Sequence, residues 1–358
     1  MRRSVLLIVV GLCLLVHGEG IGGELNVCQR REIGDHLCPE LFVLGVQKGG
    51  SSSIWVWLTE NFEDLKVAES LEDWRKKEPH FFDMRHSYGL NYYSSLYPIR
   101  NSTEDWAVDG TPCYSRYAGV PVSMKKELAT PRLRFIISFR DPVSRGMSWY
   151  RHVMTDFVPL PPGPMNPFKE AYEAFNNSFL LMADYAPKTI SRCVKYFKQE
   201  RDVFRQCWFS TGWHKLHREV VPATGLTTKN YGYVAQIFID GLYGYLMLHW
   251  LKQFPKEQFC VLIYEQLRDD FAAEMKYVEP CVQAFGRNLV VPPGASLPQT
   301  NHKVCTGCEE IDEDTKRNVG ATLHSEFFAR SNEIFREVMA TTFNRPNVVH
   351  WESLYGVA

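Results

Sequence analysis

The feature that most constrains this chain is a short apolar run that ends in glycines and opens onto a helical pattern. Leu41-Phe42-Val43-Leu44-Gly45-Val46 has no polar face, as a strand buried on both sides of a parallel sheet requires. Gln47-Lys48-Gly49-Gly50-Ser51-Ser52-Ser53 follows, and then Ile54, Trp55 and Leu58 fall at helical spacing up to Asn61. In a strand, glycine loop and helix, NH groups at the helix start converge on one point, glycines let an anion approach, and a lysine adds charge. Gly45 to Ser53 is therefore a candidate phosphate cradle. Two other readings stay open, a plain glycine turn with a serine cap and a nucleotide triphosphatase loop. The second conflicts with residue order, because a Walker motif needs Gly-Lys-Ser/Thr and Lys48 here precedes both glycines.

Further strands are expected at Trp106 to Asp109, Leu133 to Phe139 and Phe259 to Tyr264, each followed by turn or helix-start residues. Helices are expected over Pro142 to Met154, Tyr233 to Phe254, Asp314 to Phe328 and Asn332 to Thr342. Strands separated by helices predict an α/β fold, a P-loop-like three-layer sandwich whose central parallel sheet is flanked by helices. Residues 40–345 form the expected main domain. Pro159-Leu160-Pro161-Pro162-Gly163-Pro164 opens an expected insertion at about 160–230, and residues 346–358 are left as a tail.

At the N-terminus, Arg2 and Arg3 precede an apolar run from Val5 to Val16 and then Gly18, the layout of a secretory signal peptide over 1–18. The run is short against the roughly 20 residues of a bilayer span, which favours a cleaved signal over a short signal anchor; any membrane association is expected through this segment only. A polar stem is expected over 19–39. Asn101-Ser102-Thr103 and Asn176-Asn177-Ser178 are glycosylation sequons, and the chain holds 10 cysteines, so an oxidising lumen, Golgi or secreted, is the expected address. Cys305 and Cys308 have no second closely spaced pair with which to hold zinc. A disulfide from Cys281 to Cys305 or Cys308 is expected instead, with Cys193–Cys207 and Cys28–Cys38 as weaker pairings and Cys113 or Cys260 as buried thiols. Acidic and basic residues nearly cancel, at a net charge of −1, so no nucleic-acid partner is expected and any anionic ligand must be held by local charge.

Arg140 follows the strand ending at Phe139, at the carboxyl edge where open α/β sheets bind ligands. Asp141 can cap the next helix with Pro142 in its first position, and Ser148 then falls about two turns along. A guanidinium suits phosphate; the alternative is that Arg140 only pairs with a surface carboxylate. Lys77-Glu78-Pro79-His80-Phe81-Phe82 supplies a carboxylate beside aromatic rings, whose pKa is expected to be raised so that Glu78 can act as a base. His80 is the second candidate base, or a support for the loop, and Glu78 could instead belong to a solvated cluster with Arg75, Lys76 and Lys77.

Gln47-Lys48-Gly49-Gly50-Ser51-Ser52-Ser53 resembles the 5′-phosphosulfate loop of sulfotransferases that use 3′-phosphoadenosine-5′-phosphosulfate (PAPS), especially the Golgi carbohydrate branch. Lys77 to Phe82 resembles the segment with the catalytic glutamate in heparan sulfate N- and 3-O-sulfotransferases, and Arg140 to Tyr150 the segment that holds the donor's 3′-phosphate. The likeness extends through Gly241 to Pro255 and Tyr264 to Leu267. It implies sulfuryl transfer to a hydroxyl or amine of a glycan, without a metal. By that resemblance Lys48, Gly49, Gly50, Ser51, Ser52, Ser53, Arg140 and Ser148 hold the donor, Glu78 is the base, and Lys48 also stabilises the leaving group. The family's C-terminal donor loop reads Lys-Gly-Arg; here Lys303 alone is available to replace its charge. Gly110 stands where the heparan branch often has an acceptor-binding lysine. The insertion with Cys193 and Cys207 looks more like the chondroitin 4-sulfate 6-O-sulfotransferase branch, so the acceptor is left open. The alternatives are a nucleotide-dependent phosphotransferase, which would depend on magnesium, and a non-catalytic secreted glycan-binding protein. A cytosolic sulfotransferase of small phenols or steroids fits the N-terminus poorly.

Overall fold

A computed structural model describes residues 25–357 apart from 31, 70–72, 162–165, 195–218, 221–223, 226, 229–230, 301–303 and 349. The N-terminal apolar run, the Cys193–Cys207 pairing and Lys303 lie outside the described residues. Among the described residues no helix is long and apolar enough to cross a membrane.

Strands β1 (Leu41–Gly45), β2 (Leu65–Lys66), β3 (Trp106–Asp109), β4 (Arg134–Phe139) and β7 (Phe259–Ile263) form one parallel sheet in the order β2-β3-β1-β4-β7. Strands β5 (Glu219–Val220) and β6 (Thr227–Thr228) make a separate antiparallel pair inside the 160–230 region. Alternate residues feed two cores. Phe42, Leu44, Phe135, Ile137 and Phe139 face one helical layer, while Leu41, Val43, Trp106, Val108 and Ile136 face the other. Each such side chain, fully buried, contributes roughly 1.5–3 kcal/mol, which is why these strands carry no polar face. The three-layer α/β sandwich is as expected.

From β1 the chain builds β3 and β2 on one side and then crosses to β4 and β7 on the other. That reversal opens a crevice beyond the carboxyl ends of the central strands. The loop after β1, Gly110 after β3 and Arg140 after β4 therefore share one edge of the sheet.

Several boundaries differ from expectation. Tyr233 to Phe254 is two helices, Tyr231–Ile239 and Tyr243–Leu251. They break where Asp240 turns toward Arg116 and Arg145, and where Gly241 lies so close to Pro142 that a Cβ would sit 2.7 Å from its ring. The C-terminal helices are continuous instead, Glu313–Thr322 and Ala329–Thr341 being joined through a wide π-helical turn, Leu323–Phe328. Within the expected tail, Val348, Trp351 and Tyr355 are buried in the main core. The end of the stem is likewise packed, with Leu37, Cys28 and Cys38 buried.

Cys28–Cys38 pairs. Cys281 does not reach Cys305 or Cys308. The helix Glu279–Gln283 packs on β7, so Cys281 meets Cys260, which is thus no free thiol, and Cys305 closes on Cys308 around the left-handed Gly307. Among the described residues Cys113 is the free thiol, and it is buried.

Candidate active site

The β1 loop is shaped by close main-chain approaches. Val46 N donates to Ser138 O at 2.9 Å, which ties the loop to β4, and Gly49 passes so close that a Cβ would lie 2.5 Å from that same carbonyl oxygen. Gly50 has φ 93°, and Lys48 itself is left-handed at φ 69°. The helix α1 (Ser51–Asn61) starts from Gly50 with no side-chain cap. The serine-cap reading thus does not hold, and the first-turn NH groups keep their capacity to bind an anion. Ser51 and Ser53 are buried and Ser52 half-buried. Ser53 Oγ lies 3.2 Å from Thr300 Oγ1, three positions before the undescribed Lys303.

Arg140 does not pair with a surface carboxylate. Its Nη1 donates to the Lys48 carbonyl at 3.3 Å, and its guanidinium lies 4.7 Å over the Tyr264 ring, which a Cβ on Gly50 would meet at 2.8 Å. Burial first, and then the Arg140 charge, hold the Lys48 ammonium below its ordinary pKa. Two cations that repel each other in this way favour an anion between or beside them. Asp141 caps the helix α2 (Pro142–Asp156) by accepting from Ser144 N at 2.8 Å, and Ser148 is half-buried further along it.

On the other side stands a line of alternating charges. Lys77 Nζ is 2.5 Å from Glu78 Oε1, His80 Nε2 is 3.4 Å from Glu78 Oε2, and His80 Nδ1 is 2.8 Å from Asp83 Oδ2. Gly110 N donates to Lys77 O at 2.9 Å, and a Cβ on Gly110 would meet Trp55 of α1 and the Lys77 stem. Glu78 therefore lies beside the helix that begins at the loop, near enough to act on the Lys48 charge.

The expected rise in the Glu78 pKa does not occur. Burial pushes it upward, but Lys77 and His80 outweigh burial and hold the carboxyl at about 2. His80 moves the other way: burial alone would lower it, yet hydrogen bonds to Asp83 and Glu78 raise it to about 9. An imidazolium at neutral pH already holds its proton, which favours the reading of His80 as a support for the Glu78 loop over that of a second base. Cys113 Sγ offers a third ligand atom near His80 and Asp83, all within 4.8 Å. Burial raises its thiol to about 12, and Arg116 Nη2 sits 3.3 Å from the sulfur.

Two arginines behind the loop, the half-buried Arg116 and the buried Arg145, are absent from the sequence-based candidates. Arg116 Nη1 donates to Gln47 Oε1 at 2.8 Å and Asp240 Oδ2 at 3.1 Å, and Arg145 binds the Ile237 carbonyl and lies 3.8 Å from Asp240. Their spacing from the loop, 69 residues for Arg116 to Gln47, left no local signal. Tyr264 lay within a segment of resemblance but without an assigned contact.

No family model matches the chain. It is 28% identical over 160 residues to heparan sulfate glucosamine 3-O-sulfotransferase 3A1 of Mus musculus, which covers 42% of the chain and 37% of that protein. Against heparan sulfate glucosamine 3-O-sulfotransferase 6 of Homo sapiens it is 29% identical over 123 residues, 34% of the chain and 33% of that protein. The resemblance to carbohydrate sulfotransferases holds. Bifunctional heparan sulfate N-deacetylase/N-sulfotransferase 3 of Homo sapiens is 22% identical over 244 residues, 67% of the chain and 22% of that protein. The chain thus matches about a third of the length of the 3-O-sulfotransferases and less of the bifunctional protein. A sulfotransferase from Alicyclobacillus acidocaldarius superposes with a TM-score of 0.46 at 18% identity, over 84% of this chain and 95% of that one.

Proposed function

We propose that this chain is a sulfotransferase that moves the sulfuryl group of PAPS onto a hydroxyl or amine of a glycan, acting in the secretory lumen. The observation that carries the reading is the contact of Arg140 with the Lys48 carbonyl at the carboxyl edge of β1 and β4. It joins two anion-binding features, a capless helix start and a strand-end guanidinium, at the spacing of a single contact. An adenylate with phosphates at both ends uses both.

In this reading Lys48, Gly49, Gly50 and the NH groups of Ser51 to Ser53 take the 5′ end, and Arg140 with Ser148 takes the 3′-phosphate. Lys303 is kept as a further donor contact. Glu78 accepts the proton of the attacking hydroxyl or amine while its oxygen or nitrogen bonds to sulfur and the bond from sulfur to the bridging oxygen breaks. Lys48 and the first-turn NH groups face the charge that develops on that oxygen. Held at about 2, Glu78 is ionised before any acceptor arrives, and it takes the proton only as the acceptor's own acidity rises during bond formation. The line Lys77, Glu78, His80, Asp83 keeps the carboxylate aimed.

Three disulfides among the described residues, and exposed Asn101 and Asn176 in sequons, support the lumenal address. The test is transfer of label from sulfur-labelled PAPS to a panel of desulfated and partly sulfated glycosaminoglycans. Incorporation into at least one, without added metal, is expected; none across the panel overturns the proposal.

A further inference from the structure

The dipeptide Arg140-Asp141 is held from every side by distant parts of the chain. The Arg140 carbonyl accepts from Tyr243 Oη at 2.7 Å, and Asp141 N donates to Glu265 Oε1 at 2.9 Å. Glu265 is itself fixed by Trp351 Nε1 at 3.1 Å. The Asp141 carboxylate, 1% exposed, accepts from Ser144 N as a helix cap, and also from His324 Nε2 at 2.9 Å and Tyr355 Oη at 2.5 Å. Asn332 Nδ2 lies 3.1 Å from His324 Nδ1, which assigns the ring proton to Nε2, facing Asp141.

Capping α2 needs only the Ser144 bond. The other two donors come from 183 and 214 residues away. Tyr355 reaches its place because Gly320 has no side chain: a Cβ there would lie 2.1 Å from the Tyr355 ring. A buried carboxylate must be paired to be tolerated, so these donors fix where Asp141 sits, and with it the residue before it. The Arg140 guanidinium is what remains turned to the cleft.

We infer that the C-terminal segment carrying Trp351 and Tyr355 is a strap that positions Arg140 for its anion, which makes Tyr355 and His324 positioning residues for the donor's 3′-phosphate. The inference rests on the proposed role of Arg140. It gives a binding task to a segment that the sequence leaves as a tail.

The test is calorimetric titration of the full chain with 3′,5′-adenosine bisphosphate and with adenosine 5′-monophosphate, which lacks the 3′-phosphate. Tyr355→Phe keeps the ring on Gly320 and removes only the hydroxyl. It is expected to weaken the bisphosphate roughly tenfold, or ~1.4 kcal/mol, while leaving the monophosphate about unchanged. His324→Leu is expected to do the same, and His324→Gln, which can keep an NH toward Asp141, to regain most of the loss. In an Arg140→Ala background Tyr355→Phe is expected to add nothing, since both act through one contact. Equal weakening of both nucleotides, or a lower melting temperature with the preference intact, overturns the strap and leaves packing alone. A wild-type chain with no preference for the bisphosphate, or an Arg140→Ala chain that keeps it, overturns the Arg140 role and the strap with it.

Discussion

The side of the cleft with Lys48 and Arg140 is held by main chain, whereas the side with Glu78 is held by charge. On the first, Val46 N on Ser138 O, the Lys48 carbonyl under Arg140, and the Arg140 carbonyl under Tyr243 all engage main-chain groups, with the buried Asp141 carboxylate held by His324 and Tyr355 behind them. On the second, Lys77, Glu78, His80 and Asp83 hold one another by side-chain contacts between ionisable groups. A seat on main-chain groups suits a ligand whose phosphates stay anionic throughout. A side-chain charge line suits a group that must change its charge during the reaction.

The difference predicts which substitutions separate binding from turnover. The largest effect is expected from Glu78→Gln, a loss of about 10³ in turnover, within the usual range for a general base, with bisphosphate affinity nearly unchanged. Equal turnover in the variant removes Glu78 from its role and erases the distinction between the two sides. Arg140→Ala is expected to do the reverse, lowering bisphosphate affinity about 100-fold by removing a charge-assisted contact, as titration reads directly.

Two glycines sharpen the comparison. Gly49→Ala would press a Cβ against the Ser138 carbonyl, a main-chain atom that cannot step aside, and is expected to cost about 1–3 kcal/mol of stability and to weaken nucleotide binding. Gly110→Ala meets the Trp55 ring and the Lys77 stem. It is expected to disturb the Lys77 contact with Glu78, so that turnover falls more than nucleotide affinity. If thermal melts and titrations give both variants the same profile, the two sides are not built differently.

The smallest expected effect is in pH dependence. Glu78 at about 2 lies below its ordinary 4.5, so its pairing contributes stability above pH 4.5 that is lost as pH falls toward 2. His80 at about 9 lies above its ordinary 6.5, so its pairing contributes fully below 6.5 and is lost as pH rises through 9. Melting temperatures are therefore expected to hold between pH 4.5 and 6.5 and to fall as pH rises from there through 9. A His80→Gln chain is expected to lack that alkaline fall.

The donor side was the more legible from sequence. Apolar runs, glycines and a strand-end arginine are local signals, and they place β1, β3, β4, β7, the capless helix start and Arg140 at one edge of the sheet. What sequence could not show depends on residues far apart in the chain. Asp240 ends a helix because Arg116 and Arg145 draw it inward, and Cys281 finds Cys260 because a helix packs on β7. The sign of the Glu78 shift was missed for a related reason: the aromatic neighbours argued for burial, but only the structure shows Lys77 folding back onto the carboxylate. The two-residue β2 carries no pattern long enough to read.

The central claim is that the β1 loop and Arg140 form one seat for an adenylate carrying phosphates at its 3′ and 5′ positions. Thermal melting of the wild-type chain with 3′,5′-adenosine bisphosphate, set beside melting with ATP and magnesium, tests it most directly. At about 100 times its dissociation constant the bisphosphate is expected to add ~2.7 kcal/mol of stability, and ATP with magnesium to add little. An equal shift with both nucleotides, or none with the bisphosphate, contradicts the account.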